Sequence, residues 1–232
     1  MTFLYIVATP IGNLEDVTFR AIRILKEVNL ILCEDTRVTR RLLRRYDIAT
    51  STESLNARSE DRKIERVVEL LNDGKDIALV SDAGTPTISD PGALLVSRIR
   101  EACPEVTIIP IPGPSALTTA LSVAGVKASD FLFLGFLPHK RGRETLYREI
   151  ITTKRTVVLY ESPHRILKTL DRLSELLSAV GSETKRKVVV LRELTKIYEE
   201  IVSGTATEVS AHFKEYPSIK GEIVLIIEAE KK

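Results

Sequence analysis

Hydrophobic positions along this chain fall into short solid runs separated by amphipathic stretches. FLYIVA (3–8), LILC (30–33), IALV (77–80) and VTIIPIPG (106–113) are apolar on both faces and predict buried strands. Between them, apolar residues recur at helical spacing. Val17, Ile22, Leu25 and Val28 predict a helix over 17–28, and 36–46, 59–72 and 92–102 read the same way. Ser59 is a plausible N-cap and Gly74 a plausible stop for the third of these. PSALTTALSVAG predicts a further helix ending at Gly125. Strands apolar throughout, alternating with helices, mean a parallel sheet covered on both sides.

The rhythm then changes. FLFLGFLP (131–138), TVVLYES (156–162), KVVVLREL (187–194) and EIVLIIE (222–228) predict strong strands, with one long helix over 164–180. Pro112, Gly113 and Pro114 form the best hinge, so the chain divides into α/β domains over 1–115 and 116–232.

Polar clusters sit where the predicted strands end: TPIGN, EDTR, SDAGTP and PIPGPS in the first half. Parallel strands bring such ends to one edge, where open α/β sheets bind ligands. Gly84 lets backbone approach a ligand closely, Pro86 stiffens the turn, and Asp82 adds a carboxylate. An acidic loop suits a cationic or hydroxyl-rich ligand better than a phosphate. Glycine and proline also end strands without any ligand, but plain turns do not need Glu34, Asp35 and Asp82. In the second half, Lys140, Arg141 and Arg143, then Glu161, His164 and Arg165, then Arg192, Glu193 and Lys196 follow strands. Cations there could clamp phosphates or simply be solvated. Arg37, Arg40, Arg41, Arg44 and Arg45 gather on one side of a helix, and phosphate binding is the natural reading.

Composition narrows the field. The chain has 232 residues, 44% hydrophobic and 28% charged, a globular balance with net charge +2. A nucleic-acid partner must therefore be read from local clusters rather than from overall charge. No apolar run has the length of a membrane span, and the first residues lack the basic start of a signal peptide. Two cysteines, Cys33 and Cys103, make a disulfide scaffold or a cysteine-rich metal site implausible, which points to the cytoplasm. His139, His164 and His212 have no metal-site spacing, and GxSxG, GxxxxGK[ST] and GxGxxG are missing.

Taken in order, YIVATPIGNLEDVTFRAIRIL, CEDTR, ALVSDAGTPTISDPG, PIPGPSAL, GFLPHK, YESPHR, RELTK and KGEIVLIIE resemble the bacterial ribosomal small-subunit RNA (cytidine-2'-O)-methyltransferase family. That family belongs to the tetrapyrrole-methylase superfamily. The resemblance runs from residue 3 to about 229. It implies two α/β domains with S-adenosylmethionine in the cleft between them, a homodimer, 16S ribosomal RNA in the small subunit as partner, and no metal. By motif, Pro10 and Gly12 would face the cofactor, with Asp82, Ala83, Gly84, Thr85 and Pro86, and with Gly113, Pro114 and Ser115. A ribose 2'-hydroxyl of a decoding-region cytidine would attack the methyl group. Candidate bases are Glu161, His164, Lys196 and the Glu34–Asp35 pair, while Arg37, Arg40, Arg41, Arg44, Lys140, Arg143 and Arg165 would hold RNA. Three rivals stay open: a methyltransferase acting on a porphyrin-like ring, a non-catalytic RNA-binding module, and a magnesium phosphohydrolase using Glu34, Asp35 and Asp82.

Overall fold

The four solid apolar runs of the first half are four of the five strands of a parallel sheet. In a computed structural model, which describes residues 1–55, 60–182 and 186–230, β1 (Phe3–Val7), β2 (Leu30–Cys33), β3 (Thr52–Ser54), β4 (Ile77–Val80) and β5 (Thr107–Ile111) lie in the order β3-β2-β4-β1-β5. Every pairing is parallel, and Val7 stands level with both Val80 and Ile111. Successive side chains go to opposite faces. Val7, Ile31, Cys33, Ala78 and Val80 pack with α1 (Phe19–Glu27) and α2 (Thr36–Arg45). Leu4, Leu32, Ile77 and Leu79 pack with α3 (Glu60–Asn72) and α4 (Ala93–Ala102). Two covered faces explain why these strands show no polar alternation.

Local signals set the ends. The Thr18 side chain accepts the Ala21 N–H at 3.1 Å, so α1 begins at Phe19 rather than at Val17, and a 3-10 turn, Leu14–Asp16, precedes it. Asp35 caps α2 by accepting the Arg37 N–H at 2.8 Å. The expected cap at Ser59 lies outside the described residues. β3 has no counterpart among the predicted strands: TES is short and polar, and it becomes a strand only because β2 offers its edge.

Residues 1–115 form one unit and residues 116–232 another. The second holds α5 (Ala116–Val123), β6 (Phe131–Phe136), α6 (Arg143–Thr152), β7 (Thr156–Glu161), α7 (Ile166–Ala179), β8 (Val188–Arg192), β9 (Glu200–Gly204), α8 (Ala206–Lys214) and β10 (Ile223–Ile227). Its sheet runs β6-β7-β10-β8-β9 and is mixed, with β6 parallel to β7 and every other pair antiparallel. One face packs Val157, Leu159, Val188, Val190 and Leu225 against Tyr147, Ile150, Leu170, Leu173 and Phe213 of α6, α7 and α8. The edge strand β9 and helices α6 and α8 are not among the predicted elements. β9 alternates half-buried and exposed residues, and α8 is fixed by a capping box between Thr205 and Glu208.

Candidate active site

The carboxyl edge of the first sheet is built around one glycine. Thr9 and Gly84 exchange both backbone hydrogen bonds, at 2.9 and 3.0 Å, which ties the loop after β1 to the loop after β4. Thr9 Oγ1 donates to the Ser81 carbonyl at 3.0 Å, and Ser81 Oγ donates to the Gly84 carbonyl at 3.0 Å. Gly84 has φ +85, and a side chain there would meet Ile11 Cγ2 at 3.4 Å, the Pro114 carbonyl at 3.8 Å and Ser115 Cα at 4.0 Å. Thr85 Oγ1 donates to that same Pro114 carbonyl at 3.2 Å. The loops after β1, β4 and β5 therefore converge on Gly84 and bring Pro10, Gly12, Asp82, Ala83, Thr85, Pro86, Gly113, Pro114 and Ser115 to one edge. Gly12 and Gly113 are exposed there, with backbone open to a ligand. Beyond them, Thr87 and Ser89 hold φ of +73 and +66. A β-branched residue in the left-handed region is strained, and such strain gathers at ligand clamps. Nothing in residue type announces it.

β2 and β4 are neighbours, so Glu34, Asp35 and Asp82 come together. Asp82 Oδ1 accepts the Asp35 N–H at 3.0 Å. Burial raises the Asp82 pKa above its ordinary value; that backbone hydrogen bond works against the shift, and the Asp35 charge adds to it. Burial, then the charges of Asp82 and Asp35, raises Glu34 as well. Asp35 goes the other way, to about 2, because Arg37 hydrogen-bonds it through side chain and backbone. The Asp35–Arg37 ion pair spans 2.6 Å. Among the described residues no group of three or more His, Cys, Asp or Glu side chains converges as metal ligands would.

The second unit corrects several sequence expectations. Glu161 is 1% exposed. Its Oε1 pairs with Arg165 at 2.7 Å, and its Oε2 meets Arg143 at 3.3 Å and the Thr169 hydroxyl at 2.7 Å. Arg143 is itself buried and also donates to Thr169 and the Tyr147 hydroxyl. Arg165 donates to the Leu137 carbonyl at 2.9 Å. Glu161 is thus a structural counter-ion rather than an open base, and Arg143 and Arg165 are held inside rather than offered to phosphates. Neither Tyr147 nor Thr169 stands out in the sequence; only the helical spacing of 143 to 147 hints at the first. Lys196 bridges Glu193 at 2.8 Å and Glu222 at 3.0 Å. Burial alone would lower its pKa, but the two carboxylates outweigh that and raise it, which favours the charged form of Lys196 in this ion pair. His164 is exposed on the turn after β7, and Lys140 is exposed after β6. Arg37, Arg40, Arg41, Arg44 and Arg45 line the exposed side of α2, whose Thr39, Leu42 and Leu43 are buried. Arg37 is taken by Asp35. Arg40, Arg41 and Arg44 form no ion pair among the described residues.

Among the described residues no helix is long and apolar enough to cross a membrane. The family model for Tetrapyrrole (Corrin/Porphyrin) Methylases matches residues 3–210. Similar proteins include the Ribosomal RNA small subunit methyltransferase I of Halalkalibacterium halodurans, 49% identical over 97% of this chain and 75% of that protein. The protein of the same name in Thermotoga maritima is 43% identical over 98% of this chain and 99% of its own. The crystal structure of a cobalt precorrin-4 methyltransferase superposes with a TM-score of 0.70 over 97% of this chain and 94% of that one. At 17% identity it shows the fold alone. The uroporphyrin-III-C-methyltransferase of Thermus thermophilus gives a TM-score of 0.65 over the same shares at 17% identity. The Gly84 junction at a parallel sheet edge, the mixed second sheet and these likenesses over nearly the whole of this chain agree: the chain belongs to the tetrapyrrole methylase family and, within it, to the ribosomal RNA small subunit methyltransferase I family.

Proposed function

We propose that this chain methylates the ribose 2'-hydroxyl of a cytidine in the decoding region of 16S ribosomal RNA, using S-adenosylmethionine, as a cytoplasmic homodimer acting on the small ribosomal subunit. The observation that carries the reading is kinship, over 97–98% of this chain, with proteins named for that ribosomal subunit, 42–49% identical.

The first unit's edge fits such a cofactor. S-adenosylmethionine, when bound, supplies an electrophilic methyl on a sulfonium. Asp82 Oδ2, which receives no hydrogen bond among the described residues, would hold an ammonium or ribose hydroxyl. The backbones of Pro10, Gly12, Ala83–Pro86 and Gly113–Ser115 would orient it. Correct alignment of attacking oxygen and methyl is worth about 7–11 kcal/mol. Either Glu34 or His164 would accept the hydroxyl proton, and a positioned base adds about 10²–10⁴-fold. Arg40, Arg41, Arg44 and Lys140 would hold phosphates.

The test is label transfer from methyl-labelled S-adenosylmethionine to small subunits prepared from cells lacking this protein. A ribose methyl on a decoding-region cytidine, located by mass spectrometry, is expected. Label on a tetrapyrrole instead, or on no RNA, would end the proposal.

A further inference from the structure

β6 alternates regularly until it meets Gly135. Leu132 and Leu134 pack into the helix-covered core, while Phe131 and Phe133 stand opposite Thr156 and Val158. Continued alternation would send Phe136 into that core. Instead the register slips: Phe133 pairs with Val158, but Phe136 pairs with Tyr160. Three residues of β6 span two of β7, and Gly135, at φ +60, takes up the extra one. Leu137 occupies the core place and is 1% exposed, while Phe136 is turned out and left 56% exposed. A large apolar ring kept in water forgoes its burial, so the sequence has a bulge that works against simple packing.

Phe136 is not alone. Its ring lies 5.4 Å from that of Tyr160, and the Phe133 ring meets Tyr160 at 5.1 Å and 72°, edge to face. Such contacts fix ring orientation. After Leu137 and Pro138 come His139, Lys140 and Arg141, all exposed, and no carboxylate occurs from residue 131 to 143. An apolar π-surface beside uncompensated positive charge fits a ligand that is flat and carries phosphates.

We propose that Phe136 and Tyr160 form a shelf on which a base of single-stranded RNA stacks while Lys140 and Arg141 hold its phosphates. The inference rests on the reading that the substrate is RNA, and it names how that RNA is gripped. Base–aromatic stacking tolerates any base, so the shelf would splay a strand rather than read its sequence. The adenine of the cofactor is the other flat ring at hand, but that nucleoside is cationic and carries no phosphate for Lys140 and Arg141.

The chain contains no tryptophan, so Phe136→Trp makes a sole indole reporter on the shelf. A decamer of oligocytidylate should quench it saturably, and a decamer of the same phosphates without bases should not. Phe136→Ala, and Phe136→Leu as the variant that keeps apolar bulk, should both weaken binding of the base-bearing decamer by about 5- to 150-fold and leave the abasic one unchanged. Equal quenching by both strands, a Phe136→Leu chain that binds as tightly as the parent, or failure to bind either strand would overturn the shelf. Quenching by S-adenosylmethionine alone, with nothing added by RNA, would give the shelf to the cofactor. Methyl transfer by the unaltered chain to small subunits is scored separately. Transfer without stacking sinks only the shelf, and stacking without transfer sinks only the enzymatic reading.

Discussion

Glu161→Gln separates a structural from a catalytic role for the buried carboxylate of the YESPHR segment. The substitution keeps shape and removes one charge. In the parent, the two oxygens together receive Arg165, Arg143, the Thr169 hydroxyl and the Ser162 N–H at 2.7 to 3.3 Å. Glutamine offers one acceptor oxygen and turns an N–H₂ toward a guanidinium. The Arg143 and Arg165 side chains are only 11% and 16% exposed, and that of Glu161 is 0% exposed, so water cannot replace the lost partner. Breaking a buried pair from one side costs about 3–5 kcal/mol. With a urea dependence of about 2 kcal/mol per molar, the midpoint should fall by roughly 1.5–2.5 M. Urea unfolding followed by far-ultraviolet circular dichroism reads this directly. Arg165→Met added to the same chain should recover part of the loss, because it removes one stranded charge. The refuting result is a midpoint within about 0.5 M of the parent joined to a kcat reduced about 10²-fold or more, the signature of a base.

Three further outcomes test the site. Asp82→Ala should abolish S-adenosylmethionine binding in calorimetry; an unchanged Kd would remove Asp82 from the cofactor loop. Changing Arg40, Arg41 and Arg44 together to Gln should weaken RNA binding and reduce the slope of log K against log salt by about 2, since each single-strand phosphate contact contributes about 0.7; an unchanged slope would leave α2 a solvated helix. If Glu34 accepts the hydroxyl proton, it must be ionised, so kcat should fall as pH drops through its raised pKa. Glu34→Gln should remove that limb, and a limb that persists in Glu34→Gln but not in His164→Gln would assign the proton to His164.

Some of the site is legible because chain order and sheet topology coincide. Gly84, Pro86 and Asp82 stand at the end of an apolar run, and a parallel strand delivers its carboxyl end to the ligand edge whatever the rest of the fold does. The arginine stripe of α2 is readable for a similar reason, as helical spacing fixes which side chains share a side. Charge at a strand end is a weaker guide. Arg143 and Arg165 look like Lys140 in sequence, yet two are drawn inward by Glu161 and one stays in water. That choice depends on Glu161 at the end of β7 and Thr169 on α7, which bring Arg143 of α6 inward across elements and which local sequence does not encode.

By itself the sequence determined the buried strands, helices α1 to α5 and α7, and the ordered motifs that carry family membership, because periodicity, glycine and proline act within a few residues of themselves. Tertiary structure alone decided that TES and EIVSG become edge strands, that the second sheet is mixed, that Glu161 serves as a counter-ion, and that Gly135 turns Phe136 outward. Each of these involves a partner from another element: an open strand edge, the Arg143 guanidinium of α6 beside Glu161, or a register slip against β7. Pairing energies of that kind belong to two segments at once, so neither segment read alone contains them.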